Sequence, residues 1–278
     1  MTELSGKVVV VTGAGSGIGR ALALALADKQ CRLALSDIDE PALKATAALL
    51  PASTKVSLHQ MDVASRDAVT RFADEVMDAH GEVQVLINNA GVTLIDRAES
   101  AAIEDFEWVM NINFWGVVYG TRAFLPHLRQ AEEAHIVNIS SLFGLMAMPL
   151  QSAYNASKFA VRGFTESLKM ELSASAVKVS CVHPGGIKTS ITRNARVAEE
   201  ELDESREKLN ADFDNIAGTT AESAAAQIIC GIEKNKRRIL IGKDAKIADW
   251  LVRHFPSSYE KIMGLEKRLR AKAASLNH

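Results

Sequence analysis

The sequence Thr12-Gly13-Ala14-Gly15-Ser16-Gly17-Ile18-Gly19 directly follows a run of valines, residues 8–11. The valine run predicts a fully buried strand, and the alanine- and leucine-rich residues 20–29 predict a helix. Glycines at such a junction let the backbone turn tightly, and the helix N-terminus offers N–H groups to a phosphate. The stretch therefore predicts a pyrophosphate cradle, although a glycine-rich turn without a ligand has the same composition.

A carboxylate, Asp37, ends the second predicted strand, residues 32–36. It lies about 20 residues beyond the glycine loop, where an acidic side chain accepts hydrogen bonds from the adenosine ribose and repels a 2′-phosphate. Ile38 and Asp39 follow, so no cation is adjacent to attract that phosphate. The pattern predicts NAD in preference to NADP. The other role, a helix N-cap or turn residue ahead of Pro41, suits Asp39 better than Asp37.

Predicted strands and helices alternate along the rest of the chain. Further strands are predicted at residues 56–61, 83–87, 134–139, 177–182 and 237–242, and helices at 42–50, 67–79, 103–129 (interrupted or ended near Pro126) and 154–172. This alternation predicts a single α/β domain spanning residues 1–278, with a doubly wound parallel sheet of about seven strands and helices on both faces. Ligands of such sheets bind at the carboxyl ends of the strands.

Polar residues follow two of these strands. Asp62, with Val63 beside it, could accept a hydrogen bond from an adenine amino group, and Asn88-Asn89-Ala90-Gly91 could brace the sheet and contact the adenosine. Each is also ordinary turn chemistry, so neither decides the site alone.

Composition limits the class of protein. The chain has 278 residues, 47% of them hydrophobic, and a formal net charge of −2, which argues against a nucleic-acid partner. Its three cysteines are far apart in apolar contexts, and no Cys/His spacing predicts a metal site. The N-terminus has no signal-peptide pattern, and no apolar run reaches the ~18 residues that span a bilayer. The expected location is the cytoplasm.

The stretch Tyr154-Asn155-Ala156-Ser157-Lys158 places a phenol and an ammonium on one face of a predicted helix. A nearby positive charge stabilises a phenolate and lowers the pKa of tyrosine, which would let Tyr154 exchange a proton with an alcohol or carbonyl near neutral pH. The same pair also occurs by chance on helix surfaces.

Asn113 is a second polar residue on an apolar helix face. It is either a core amide whose hydrogen bonds are satisfied or a polar group beside a reaction centre.

Taken together, these motifs resemble the short-chain dehydrogenase/reductase family, in order and spacing, over residues 6–190. The matching motifs are Thr12-Gly13-x-x-x-Gly17-x-Gly19, Asn88-Asn89-Ala90-Gly91, Asn113-x-x-Gly116, Ser141, Tyr154-x-x-x-Lys158 and Pro184-Gly185 with Thr189. The resemblance implies a Rossmann-like fold and an NAD(P)-dependent dehydrogenase or reductase acting on a CH–OH group.

The resemblance also implies catalytic roles. Tyr154 would be the acid/base, and Lys158 would lower its pKa and hold the nicotinamide ribose. Ser141 would bind the substrate oxygen, with Ser140 as runner-up because its side chain points the other way along a strand. Asn113 would hold a water in a proton relay to Lys158.

The expected cofactor contacts extend from the glycine loop to a carboxamide-binding loop at residues 184–189, in which the Ile187 backbone and the Thr189 hydroxyl would act. The full set is Gly13, Ser16, Gly17, Ile18, Gly19, Asp37, Asp62, Val63, Asn89, Ala90, Gly91, Tyr154, Lys158, Pro184, Ile187 and Thr189.

The substrate is expected to be a hydrophobic secondary alcohol or ketone, because the apolar stretch Leu142-Phe143-Gly144-Leu145-Met146-Ala147-Met148 lies where a pocket would form. These residues could equally be core or subunit packing.

Residues 190–217 predict a helical lid. The extension at 243–278 is apolar and basic; it could lie on a membrane surface or cover the substrate entrance, but packing on its own domain or a partner subunit is favoured. The long helices predict a homodimer or homotetramer.

Two other functions are compatible with parts of this pattern. An NADP-dependent carbonyl or 3-ketoacyl reductase is disfavoured by Asp37. A non-catalytic NAD(H)-sensing protein is disfavoured because Ser141, Tyr154 and Lys158 are all present.

Overall fold

The computed structural model describes residues 3–189, 195–197, 218–262 and 264. The predicted lid at 190–217 therefore lies outside the described residues, apart from 195–197 and 218 at its border. The C-terminal extension is described only over 243–262 and 264.

Seven strands form one parallel sheet. They are β1 (Val8–Thr12), β2 (Arg32–Asp37), β3 (Val56–Gln60), β4 (Val85–Asn88), β6 (Ala134–Ile139), β7 (Val177–Pro184) and β11 (Arg238–Ile241). Their order across the sheet is β11-β7-β6-β4-β1-β2-β3, and every neighbouring pair is parallel. Two short parallel pairs lie outside it: β5 (Leu94–Ile95) with β9 (Arg196–Val197), and β8 (Ile187–Lys188) with β10 (Thr219–Thr220).

Helices cover both faces of the sheet. They are α1 (Gly17–Asp28), α2 (Glu40–Ala47), α3 (Arg66–His80), α4 (Ile103–Met110), α5 (Gly116–Leu128), α6 (Ser152–Glu171), α7 (Ala221–Glu233) and α8 (Lys243–His254). One apolar core joins the sheet to α1 and α7, and another joins it to α3 and α5. Strands buried on both faces explain the continuous apolar runs in the sequence. The predicted doubly wound α/β fold is confirmed.

The helix predicted at 103–129 ends near Pro126, as expected, but its interruption lies elsewhere. Pro126 lies inside α5, which ends two residues later at Leu128. Proline has no backbone N–H, so Pro126 removes one helical hydrogen bond, the one to the carbonyl of Arg122 four residues earlier. Arg122 is exposed, so the helix tolerates this loss. The interruption is instead a π-helical turn, Asn111–Trp115, between α4 and α5. Such turns are frequent at functional sites.

Within the described part of the chain, no helix is long and apolar enough to cross a membrane, and no group of three or more His, Cys, Asp or Glu side chains could hold a metal ion. Cys31 and Cys181 are buried and Cys230 is half-buried, all as free thiols.

Candidate active site

The glycine loop is tied to the end of β4. Gly13 has a φ of +66°, and a Cβ there would lie 2.8 Å from the Cα of Ala90, so the chain needs glycine both for conformation and for space. The Asn89 side chain donates to the carbonyls of Thr12 (2.9 Å) and Gly13 (3.2 Å), and the Thr12 hydroxyl accepts from the backbone of Asn89 and Ala90. Asn89 and Ala90 thus brace the end of β1.

The first turn of α1 fits a pyrophosphate. Ser16 precedes the helix, and the backbone N–H groups of residues 17–19 form its first turn, which is the part of a helix that binds anions. A Cβ at Gly17 would lie 3.2 Å from the Thr189 side chain, which places Thr189 directly over the loop. The loop and Thr189 thus border a narrow cradle in which an added methyl group would compete with a ligand.

Asp37 lies beside the same loop at the end of β2. One carboxylate oxygen accepts from the Gly15 backbone N–H (2.7 Å), and the other accepts from the Asp39 N–H (3.0 Å). Asp39, not Asp37, is the N-cap of α2, accepting from Ala42 N at 2.9 Å. The carboxylate of Asp37 is therefore fixed at the adenosine end of the predicted site.

Asp62 follows β3, and its carboxylate accepts from the Ala64 N–H at 2.9 Å, while Val63 is buried. This contact is the turn chemistry that the sequence also allowed.

Tyr154 and Lys158 lie on α6 and are buried, with 9% and 3% of their surface exposed. The Lys158 Nζ is 5.6 Å from the centroid of the Tyr154 ring and donates to the Ile139 carbonyl at 3.1 Å. Phe143 packs edge-on against the same ring, with centroids 6.1 Å apart.

The electrostatics of this pair differ from the sequence expectation. Burial raises the pKa of Tyr154, and a hydrogen bond with Ser141 partly opposes that increase. Burial also lowers the pKa of Lys158, to about 8. The expected lowering of the Tyr154 pKa by Lys158 is not found in this structure, because the ammonium lies near the ring and desolvation disfavours both charged forms.

The two serines at the end of β6 have different partners. The Ser140 hydroxyl donates to the Lys158 carbonyl at 2.8 Å, away from the Tyr154 hydroxyl. The Ser141 hydroxyl is close enough to Tyr154 to oppose the increase in its pKa, and it accepts from the Phe143 N–H at 3.1 Å. The structure therefore brings Ser141, and not Ser140, to the tyrosine hydroxyl.

Asn113 lies in the π-helical turn and is fully buried. Its amide oxygen accepts from Val92 N (2.8 Å), and its amide nitrogen donates to Val92 O (2.9 Å) and Ser157 Oγ (3.0 Å). A Cβ at Gly91 would lie 3.2 Å from the Asn113 oxygen and 3.3 Å from the Lys158 Nζ, so both side chains border Gly91. Asn113 is thus a satisfied amide that also lies beside the reaction centre.

Three residues near the site were not singled out from the sequence. Asn155 donates to the carbonyls of Phe143 (2.9 Å) and Met146 (3.0 Å) and accepts from the Met148 N–H (3.2 Å). Ser157 bonds Asn113, and His183 Nδ1 lies 3.1 Å from the Ser141 carbonyl. Burial lowers the pKa of His183 to about 4. The signal for Asn155 was present, because an asparagine inside a helix is unfavourable unless it is hydrogen-bonded.

The apolar stretch predicted to line a pocket divides between core and site. Leu145 and Met146 are 2% exposed and belong to the core, which is the packing role that the sequence left open for them. Asn155 holds the backbone of this stretch at Phe143, Met146 and Met148. Leu142, Phe143 and Met148 remain half-buried.

The predicted carboxamide loop begins at Pro184, the last residue of β7. Ile187 is buried and pairs with Thr219 in the β8–β10 ladder. Thr189 completes the loop over the glycine cradle.

A seven-stranded parallel sheet, a glycine cradle at a helix N-terminus and a buried Ser-Tyr-Lys group define a dinucleotide-dependent oxidoreductase. The sequence profile of the family described as short chain dehydrogenase matches residues 7–200. The chain belongs to the short-chain dehydrogenase family, and it is an NAD(P)-dependent dehydrogenase or reductase of that family.

Named relatives match about half to nearly all of the chain. The protein named oxidoreductase SadH, from Mycobacterium tuberculosis strain H37Rv, is 48% identical over 267 residues, which cover 95% of this chain and 96% of that protein. The 3-ketodihydrosphingosine reductase of Bacteroides thetaiotaomicron is 39% identical over 145 residues, covering 52% and 54%. A short-chain dehydrogenase/reductase from Burkholderia phymatum, solved in complex with NAD, is 35% identical with a TM-score of 0.82, covering 91% and 95%.

Proposed function

We propose that this oxidoreductase transfers hydride between NAD(H) and a hydrophobic secondary alcohol or ketone. The observation that carries the proposal is the burial of Ser141, Tyr154 and Lys158, with the Lys158 ammonium over the Tyr154 ring and beside Gly91, whose neighbour Ala90 packs against Gly13 of the glycine loop. These groups lie at the carboxyl edge of the sheet, where ligands of doubly wound folds bind.

In this proposal Ser141 and Tyr154 hold the substrate oxygen, where negative charge develops when a carbonyl is reduced. Tyr154 donates a proton to that oxygen during reduction and removes it during oxidation. Lys158 holds the nicotinamide ribose, and Asn113 holds a water that supplies protons to Lys158. The bound nicotinamide supplies the hydride acceptor or donor.

Burial of the pair gives these roles a physical basis. Burial keeps the phenol of Tyr154 protonated, which is the form that can give a proton to a carbonyl oxygen, and a lysine with a pKa of about 8 exchanges protons near neutral pH. A solvent-exposed lysine would keep a pKa near the ordinary 10.5 and would lack this property.

The proposed preference for NAD rests on Asp37. Two backbone N–H groups fix its carboxylate next to the glycine loop, where its charge would repel a 2′-phosphate. The Burkholderia relative was solved with NAD, which agrees with this preference. Arg20 contacts the same loop, but its guanidinium is bound to the Gly15 carbonyl and the Thr46 hydroxyl.

The proposed substrate class rests on the side chains next to Tyr154. Phe143 packs on its ring, and Leu142 and Met148 are half-buried in the same loop. Such a lining favours an apolar substituent on the carbinol carbon. The Bacteroides relative is named for a ketone substrate, which is the functional group proposed here.

We also propose a homo-oligomer in the cytoplasm. Large apolar side chains stand exposed on the π-helical turn and α6, namely Trp115 (43%), Phe159 (42%) and Met170 (72%). Subunit contacts commonly bury such residues.

The test is a fluorescence titration of the purified protein with NADH and with NADPH, followed by a screen of hydrophobic secondary alcohols with NAD⁺. We expect tighter binding of NADH than of NADPH. Asp37→Ser should reduce that preference by about tenfold or more, because it removes the charge that opposes the 2′-phosphate. Asp39→Ser, which alters the neighbouring helix cap, is the matched control.

A preference for NADPH in the wild-type protein would indicate the alternative function, an NADP-dependent carbonyl or ketoacyl reductase. Binding of neither cofactor would contradict the assignment of the glycine loop. Tight NADH binding with no turnover of any alcohol or ketone would favour the NAD(H)-sensing alternative.

A further inference from the structure

Asp244, in the first turn of α8, lies outside the motifs that carry the family resemblance, yet it contacts the predicted carboxamide loop. Its carboxylate accepts from the Gly186 backbone N–H at 2.6 Å. A carboxylate that accepts from a backbone N–H makes a short, charge-assisted hydrogen bond of this kind. The residue that precedes α8, Gly242, has no side chain to cap the helix, and the Asp244 side chain extends to a different segment of the chain.

Two glycines leave space for this carboxylate. A Cβ at Gly185 would lie 2.1 Å from one Asp244 oxygen, and a Cβ at Gly242 would lie 2.3 Å from the other. Both distances are far below van der Waals contact, so an alanine at either position would displace the Asp244 side chain. The absence of side chains at Gly185 and Gly242 therefore leaves room for the Asp244 carboxylate between the loop and the β11–α8 junction.

Both polar groups of the Gly186 backbone are engaged. Its N–H is bound by Asp244, and its carbonyl accepts from the Thr219 N–H at 3.3 Å. The preceding N–H, that of Gly185, donates to the Ile241 carbonyl at 3.0 Å. These bonds fix the peptide planes on both sides of Gly186, and they set the direction in which the backbone enters Ile187. A glycine would otherwise allow many directions at this point.

We propose that Asp244 is a positioning residue for cofactor binding: it orients the Gly186–Ile187 backbone so that the loop can hold the nicotinamide carboxamide. This inference rests on the proposed function, in which Ile187 and Thr189 contact that group. Asp244 acts through Gly186 and does not itself touch cofactor or substrate. Helix α8 thereby connects the C-terminal part of the chain to the reaction centre.

The test compares full-length wild-type protein with Asp244→Ala, which removes the acceptor, and Asp244→Asn, which keeps an acceptor oxygen. Asp249→Asn is the matched control, because Asp249 lies on the same helix but pairs with Arg238 and Arg253. The first readout is hydrogen–deuterium exchange of residues 184–189 without cofactor. Exchange of the Gly186 amide should be faster in Asp244→Ala and unchanged in the other two variants.

The second readout is the NADH dissociation constant, with KM and kcat measured in parallel. We expect Asp244→Ala to weaken NADH binding by about tenfold, the effect of losing one hydrogen bond to a charged group. Asp244→Asn should recover most of the affinity, and Asp249→Asn should retain it even if its melting temperature falls.

The outcomes separate the two claims. If the wild-type protein binds NADH but Asp244→Ala binds it equally well, or leaves Gly186 exchange unchanged, the role of Asp244 is overturned and the proposed function stands. If Asp249→Asn weakens NADH binding as much as Asp244→Ala does, general loosening of α8 is the cause and the proposal is again overturned. If the wild-type protein binds no nicotinamide cofactor, the proposed function fails and this inference fails with it.

Discussion

The Lys158 ammonium lies 5.6 Å from the centroid of the Tyr154 ring, and both side chains are buried. The positive charge thus faces the aromatic ring, while the Ser141 hydroxyl acts on the phenol and partly opposes the increase in its pKa. Burial disfavours the charged form of each residue, which raises the pKa of Tyr154 and lowers that of Lys158 to about 8. Burial of the two groups therefore lowers the stability of the free protein.

Lys158→Met should stabilise the protein while removing activity. The folded-state pKa of about 8 lies below the ordinary value of 10.5, so at pH 7 the folded protein carries a poorly solvated ammonium. Replacing it with an apolar side chain should raise the free energy of unfolding by about 1–3 kcal/mol and lower turnover at least about a hundredfold.

The increase in the free energy of unfolding that Lys158→Met produces should become smaller as pH rises. Between pH 8 and 10.5 the unfolded chain binds the proton and the folded protein does not, so wild-type stability recovers as pH rises through this range. Denaturant unfolding should show a smaller difference in the free energy of unfolding between Lys158→Met and the wild-type protein at pH 10 than at pH 7. A variant less stable than wild type at pH 7 would contradict the cost assigned to burial.

His135 and His183 should make the protein less stable below neutral pH. Burial lowers the pKa of each to about 4, against 6.5 ordinarily. Between these values the unfolded chain binds more protons, so the free energy of unfolding falls as pH decreases, by about 2 kcal/mol for each histidine between pH 7 and pH 5. Denaturant unfolding of His183→Gln should show a smaller loss over this range. His254→Gln, at an exposed site, serves as the control, and an unchanged pH slope in His183→Gln would argue against the assignment.

Asn155→Ala should loosen the loop that borders Tyr154. The variant loses three hydrogen bonds to the backbone of Phe143, Met146 and Met148, leaving polar groups unpaired at a cost of about 1–3 kcal/mol in the free energy of unfolding. The KM for the alcohol should rise several-fold on the same reasoning, with little change in NADH affinity. Ser167→Ala removes an exposed bond on the same helix and should change neither quantity. Wild-type KM and stability in Asn155→Ala would count against a bracing role.

The sheet and the glycine cradle could be predicted from the sequence because each depends on local pattern. Valine-rich runs are typical of strands buried on both faces of a parallel sheet, and a strand, a glycine loop and a helix in succession leave few other arrangements. The same reasoning placed Tyr154 and Lys158 on one helix face, because that relationship is fixed by a spacing of four residues.

The features that sequence reasoning missed depend on contacts between distant segments. Asp244 reaches Gly186 across 58 positions, and nothing local distinguishes it from an ordinary acidic residue in a first helical turn. Leu145 and Met146 look like pocket residues until the fold buries them. The pKa of Tyr154 depends on burial and on where the ammonium lies relative to the hydroxyl, and neither follows from spacing alone.

The most direct test of the account is Tyr154→Phe, measured in two ways on one preparation. Nicotinamide absorbance reports hydride transfer with a secondary alcohol that the wild-type protein oxidises, and fluorescence titration reports NADH binding. We expect turnover to fall by about a thousandfold or more, because the proton acceptor is absent, while the NADH dissociation constant stays within about twofold of wild type, since Phe preserves the packing against Phe143. Turnover near the wild-type rate in Tyr154→Phe would contradict the assignment of Tyr154 as the acid/base.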